Sequence, residues 1–334
     1  MNCFLINHGL HGLTQIKKIN KKSVGIHKIR ENPCLLFPIL CGFLFILFSH
    51  SLGAMNWPCE GAVLIRNFGS NDNGRPVLGM VFSGDTEVLA AESGEIIFTR
   101  NSRDNVSRLP SPLGSWTAID HGDGLISIYS RLAENSQTAD GSSMPSLVEK
   151  QQPIAAAGIS GWSSNTGFYF MVYDRWERRW INPALIITPR QETSRPLIHS
   201  VELRNQQGAA VHSRNITQGR YSIHVNAAGV PAGLPAAGSA AARTTQGIQL
   251  APQRIVCLVD GAEAGTLNFE SVSARDGVLM VHRNGLVPAR QVYINYPAFE
   301  AAEVFLNRGQ INLEIIVYDI TGNSRSLINR LIVN

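Results

Sequence analysis

SNTGFYFMVYDRWERRWINP, residues 164–183, sets the grammar of the first half of this chain. Thr166-Gly167 is a turn signal. Phe168 to Tyr173 is a run of aromatic and β-branched residues that predicts a strand. The charged run Asp174 to Arg179 reads as a solvated hairpin tip, with partner docking as the sharper alternative. Asn182-Pro183 closes the unit. The stretch contains no histidine or cysteine.

Outward from it, the same pattern repeats. Gly61 to Asn67, Glu87 to Ala91, Gly94 to Thr99, Trp116 to Asp120, Leu125 to Ser130 and Ile154 to Ala157 are short apolar or alternating runs between Gly, Asn, Asp and Ser turns. Helical periodicity is nearly absent, so residues 61–189 predict an all-β domain of short antiparallel strands. A polar segment with two prolines, Thr188 to Pro196, suits a linker. A second β series occupies 190–334: Leu197 to Leu203, Tyr221 to Val225, Arg254 to Val259, Thr266 to Phe269, Val278 to His282, Val292 to Tyr296, Asn312 to Tyr318 and Ser326 to Val333. This spacing predicts an immunoglobulin-like β-sandwich whose last two strands form the closing hairpin. Residues 227–247 are mostly Ala, Gly, Pro and Ser and predict a mobile loop, because so few large apolar groups cannot offset the entropy of ordering.

Residues 1–54 differ in kind. Lys17, Lys18, Lys21, Lys22, Lys28 and Arg30 precede the apolar run Leu35 to Phe48 and the small-residue exit Ser51-Leu-Gly-Ala54. That order predicts a signal peptide cleaved near Gly53 or Ala54, or an uncleaved N-terminal anchor, since the run is shorter than a span of roughly 20 residues. Of 29 basic and 25 acidic residues, six basic ones and Glu31 fall in this leader, which leaves 23 against 24. A near-neutral remainder with no basic stripe excludes an electrostatic nucleic-acid surface. The composition, 44% hydrophobic and 16% charged with 30 glycines and 16 prolines, is that of a globular, turn-rich chain. Beyond the leader stand Cys59 and Cys257, either one long-range disulfide or two separate buried thiols.

The landmarks of the first half occur in a familiar order: Asn67-Phe-Gly69, Val88-Leu-Ala-Ala91 with Gly94-Glu-Ile-Ile97, Ala118-Ile-Asp-His-Gly-Asp-Gly124 with Tyr129-Ser-Arg-Leu132, Val148 to Gly158, Ser160-Gly161, Thr166-Gly167 and Asn182-Pro183. In this order and spacing, residues 61–189 resemble the lysostaphin/LytM-type zinc endopeptidases of bacterial cell walls, peptidase family M23. The resemblance implies an antiparallel β-sheet groove of the duplicated hybrid motif type with a metal at its floor. Active relatives build that site from a His and an Asp four residues apart around a glycine, and from the second His of a His-x-His strand. Further histidines serve as base and transition-state stabiliser. Zinc demands nitrogen, thiolate or carboxylate donors at about 2 Å and an open position for water.

Carried over position by position, those donors are missing. The first pair aligns with Val77 and Val81, around Gly79. The histidine of the Tyr-x-His-Leu element aligns with Arg131, which stays protonated and cannot act as a base. The His-x-His strand becomes Tyr169-Phe170-Met171, or Phe168-Tyr169-Phe170 one register away. The resemblance therefore implies a degenerate member with no catalytic residues, no metal ligands and no cofactor. Val77, Val81, Arg131, Tyr169 and Met171 are the remains of its site.

Other chemistry is thin. His121 lies in the turn Asp120-His-Gly-Asp-Gly124, where the resemblance implies a structural role, with a groove contact as the alternative. Ser160 to Ser164 has no histidine near in sequence to activate a nucleophile, and no phosphate loop or paired-cysteine motif is present. Tyr129 and Tyr173, with Tyr169, are candidate groove contacts that stack on a sugar ring or peptide, or else ordinary sheet packing. The expected function is a non-catalytic binding or regulatory protein, exported to the periplasm or cell envelope, engaging peptidoglycan or a wall hydrolase. Degenerate relatives act as activators of other wall hydrolases. The partners expected are peptidoglycan or an envelope protein, with no nucleic acid, and a membrane only through the N-terminal segment. Two alternatives stand: an active zinc endopeptidase of peptidoglycan with relocated ligands, and an adhesion or structural protein that binds through the C-terminal sandwich.

Overall fold

A computed structural model describes residues 54–101, 111–134, 146–189, 195–229, 248, 250–295 and 297–334. The expected leader, and the loop expected at 227–247 beyond Gly229, lie outside them. The chain from Ala54 onward is one compact unit and almost entirely β.

The first half contains β1 (Val63–Arg66), β2 (Asn71–Asp72), β3 (Arg75–Pro76), β4 (Gly79–Ser83), β5 (Glu87–Leu89), β6 (Gly94–Arg100), β7 (Ser115–Asp120), β8 (Leu125–Leu132), β9 (Leu147–Val148), β10 (Pro153–Ala156), β11 (Gly167–Asp174) and β12 (Arg179–Ile181). The strand expected at Phe168 to Tyr173 is β11, and it is central: it pairs antiparallel with β8, β4 and β12. Strand alternation gives it two faces. Phe168, Phe170 and Val172 point into a core with Met80 and Phe82 of β4, Tyr129 of β8, and the smaller β5–β10 sheet, which contributes Val88, Ile154 and Ala155. Tyr169, Met171 and Tyr173 point to the opposite face.

The second half contains β13 (Leu197–Asn205), β14 (Ala210–Val211), β15 (Asn215–Ile216), β16 (Gly219–Ala228), β17 (Arg254–Val259), β18 (Ala262–Arg275), β19 (Val278–Arg283), β20 (Leu286–Pro288), α1 (Ala289–Tyr293), β21 (Phe299–Leu306), β22 (Gly309–Tyr318) and β23 (Ser324–Val333). Two layers enclose its core: β14-β13-β16-β21 on one side, and β23-β22-β17-β18 on the other. Two expectations change here, and one strand is added. Val292 and Tyr293 belong to a helix rather than a strand, because Pro288 precedes the helix formers Ala289-Arg290-Gln291. β21 is a strand despite its Ala- and Glu-rich sequence, held by pairing with β16 along its length. Ala227 and Ala228 are buried and finish β16, so they belong to a strand rather than to the expected loop.

The halves have separate cores, yet one sheet runs through both, because Arg179, Trp180 and Ile181 of β12 pair with Ser273, Val272 and Ser271 of β18. Asn67-Phe68-Gly69 strengthens the joint. Phe68 is fully buried in the second half's core, Asn67 exchanges hydrogen bonds with the Ala251 backbone at 2.7 and 2.8 Å, and Tyr293 Oη donates to the Gly69 carbonyl at 2.8 Å. Gly69 sits at φ +80° against the Phe269 ring, where a methyl group would collide. Cys59 and Cys257 are buried in the two different cores and are not joined to each other.

Candidate functional site

The outward face of β11 and β4 carries the residues singled out in the sequence. Tyr169 is paired across strands with Val81, and Met171 with Gly79. Gly79 has a steric reason to be glycine: a methyl group there would strike the Phe170 carbonyl and the Met171 side chain. Val77, two residues before Gly79, is buried beside this strand. Tyr169 Oη accepts a 2.7 Å hydrogen bond from the Leu78 backbone N–H, which fixes its ring along the floor. Burial raises the phenol pKa of Tyr169 well above its ordinary value.

Arg131 reaches this face through an irregularity in β8. Between β7 and β8 the register shifts: Ser115 faces Leu132, and Trp116 faces Ser130. Arg131 is the extra residue of that bulge and has φ +64°, a left-handed conformation that costs a non-glycine residue on the order of 1–3 kcal/mol. Strict alternation would put Arg131 on the core side with Tyr129. The bulge instead sets its guanidinium 5.4 Å from the centre of the Tyr169 ring. Burial is the main influence on the guanidinium and lowers its pKa, although arginine remains charged.

Val81, Tyr169 and Arg131 line a cleft of about 510 Å³. Its walls come from β1, the β2–β3 hairpin, Pro112-Leu113 and the loop Trp162 to Thr166. Met171 lies one step farther along the face, against Gly79. Tyr173 lies farther still, with its ring 4.9 Å from Trp180, so it is on the expected face but outside the cleft.

Tyr129 and His121 are not groove residues. Tyr129 belongs to the core side of β8, where it is fully buried beside Phe170, with ring centres 5.2 Å apart. Its hydroxyl accepts from Ala91 N–H at 2.8 Å and from Ser127 Oγ at 3.2 Å, and burial pushes its pKa up to about 12. The two nitrogens of His121 meet the Ser93 carbonyl at 2.8 Å and Ser127 Oγ at 2.9 Å, ending the same chain of hydrogen bonds. The loop serine Ser160 is likewise structural: it accepts from Ser115 N–H and donates to the Leu132 carbonyl at 2.7 Å.

Residues 77–183 match the model of peptidase family M23. This stretch is an M23 domain. A second family model, which carries no description, matches residues 195–334. Among solved structures, the chain is similar to one in the SpoIIQ–SpoIIIAH pore-forming complex, at 20% identity and a TM-score of 0.32, covering 41% of this chain and 92% of that one. It is also similar to the catalytic domain of the prophage-encoded M23 protein EnpA from Enterococcus faecalis, at 16% identity and a TM-score of 0.31, covering 39% and 94%. Lysostaphin from Staphylococcus simulans is matched at 14% identity and a TM-score of 0.32, covering 84% of this chain and all of that one. No curated protein matches.

The M23 frame implies zinc, and the side chains at the site do not fit it. Valine offers no donor atom at positions 77 and 81, the Tyr169 hydroxyl is already engaged and held protonated, and Arg131 carries a positive charge. Among the described residues, no group of three or more His, Cys, Asp or Glu side chains is placed to hold a metal ion elsewhere. The sequence missed the wall formed by Arg66, Asp72 and Asn73. Those residues belong to no M23 landmark, and only their long-range placement brings them to the cleft.

Proposed function

We propose that this protein is a non-catalytic binding or regulatory module of the cell envelope, built on an M23 frame and receiving a peptide segment in the former active-site cleft. The segment comes from peptidoglycan or from a wall hydrolase. The observation that carries this reading is the contrast at one place: a preserved cleft whose floor is Val81, Tyr169 and Arg131, where peptidase chemistry needs metal donors. A cleft of this volume falls within the range of about 300–1,000 Å³ typical of ligand sites. The C-terminal half supports the frame as an immunoglobulin-like sandwich and buries Phe68 of the M23 side. The leader takes the chain out of the cytoplasm or anchors it at the membrane.

The test uses the full chain, sedimented with purified peptidoglycan and captured on a purified wall hydrolase. Combining Arg131→Asn with Trp162→Ala changes two cleft-lining residues, and Asn tolerates the left-handed backbone at 131. The pair should weaken whichever interaction is present. Retention of both at wild-type strength removes the cleft from the function.

A further inference from the structure

Among the described residues, the cleft holds an unmatched positive charge. Those of them that are charged and line it are Arg66, Asp72 and Arg131. Arg66 Nη1 lies 2.7 Å from Asp72 Oδ1, so these two offset each other. Arg131 has no carboxylate within ion-pair distance and no side-chain hydrogen bond among the described residues. Its Nε is buried without a partner. Its guanidinium lies against the face of Tyr169.

A buried guanidinium donor with nothing to accept from it is unfavourable in the free protein, and so is the backbone that presents it. The Nε is closed off, so an arriving carboxylate pairs with the two Nη groups, which no described residue engages, and uses the backbone that presents them. Its two oxygens match the parallel N–H groups of a guanidinium, a pairing specific in direction as well as charge. At the rim Trp162 is 79% exposed, a flat apolar surface beside the charge. Size selects the ligand further: a stable protein–protein contact buries about 1,200–2,000 Å², whereas a cleft of about 510 Å³ suits a few residues of peptide.

Resting on the reading of the cleft as a peptide site, we propose that Arg131 anchors the carboxylate of a short peptide, held as a bidentate ion pair over Tyr169 with the peptide's apolar part against Trp162. The carboxylate is either the peptide's own terminus or an acidic side chain.

Three probes separate the cases in titrations of the full chain, followed by tryptophan fluorescence: N-acetyl-tetraalanine as the free acid, the same peptide as its amide, and an amidated tetrapeptide with one internal glutamate. At low salt the free acid or the glutamate peptide should bind at least about tenfold more tightly than the neutral amide, and the stronger of the two identifies the source. The preference should shrink as salt is raised. Arg131→Asn should abolish it and Arg131→Lys should keep part of it, both with unchanged thermal unfolding. Equal binding of all three probes, insensitive to Arg131→Asn, overturns the carboxylate anchor while leaving a peptide cleft in place. Failure of both acidic probes to saturate also overturns the anchor. If the Arg131→Asn, Trp162→Ala pair in addition leaves peptidoglycan and hydrolase binding untouched, the cleft reading falls with it.

Discussion

The two faces of the sheet around β11 have met opposite demands. On the core face the polar atoms are joined in a chain that runs from the Ser93 carbonyl through His121, Ser127 and Tyr129 to the Ala91 N–H. On the outer face the polar group at the centre, Arg131, is set on a strained backbone, and among the described residues its Nε has no hydrogen-bonding partner. A satisfied buried network serves folding, whereas an unsatisfied charge in an accessible cleft serves something that arrives later. In this M23 domain the lone histidine of the described first half went to the first task, and an arginine stands ready for the second.

Substitutions on the two faces should therefore separate stability from binding. Phe170→Ala, in the core between Phe82, Phe168 and Tyr129, should cost about 3–5 kcal/mol in denaturant unfolding. Tyr129→Phe removes the acceptor for the Ala91 N–H while keeping the ring, and should cost about 1–3 kcal/mol by the same measurement. Arg131→Asn should change stability by less than about 1 kcal/mol, since it removes a stacked but unpaired cation and keeps a residue tolerant of positive φ. A large loss of stability there would place Arg131 with Tyr129 as a folding residue. The smallest expected effect is that of a chelator: calorimetric melting of the full chain should be the same with and without it, because the M23 site positions offer no zinc donor set. A drop in melting temperature on chelation would reveal a metal site outside the described residues.

The sequence made some of this arrangement legible and hid the rest for physical reasons. The aromatic run of β11 and its Thr166-Gly167 turn could be read directly, because alternation and turn chemistry are local; Val81, Arg131 and Tyr169 were singled out only through the M23 resemblance, and the fold brings them to one cleft. Asn182-Pro183 was legible as a landmark but not in its full role: Asn182 is buried, caps the turn at Ala184 and donates to the Phe269 carbonyl of the other half at 3.0 Å. For Tyr129 the sequence left groove contact and ordinary packing open; it packs in the core, whereas Arg131, two residues on, faces the cleft. A single-residue bulge breaks that parity, and bulges depend on how β7 is paired. Phe68 was read only as part of a first-half landmark and is a core residue of the second half, a contact set by the approach of two distant segments. For the same reason the halves cannot be separated at the polar linker without exposing Phe68. Deleting residues 190–334 would therefore report on folding rather than on where binding resides.

The proposed role is binding without cutting. The most direct measurement incubates the full chain with purified cross-linked peptidoglycan and analyses the muropeptides of the sedimented and soluble fractions. The muropeptide profile should be identical to that of untreated wall. Soluble fragments with newly cleaved peptide cross-bridges, suppressed by a chelator, would contradict it.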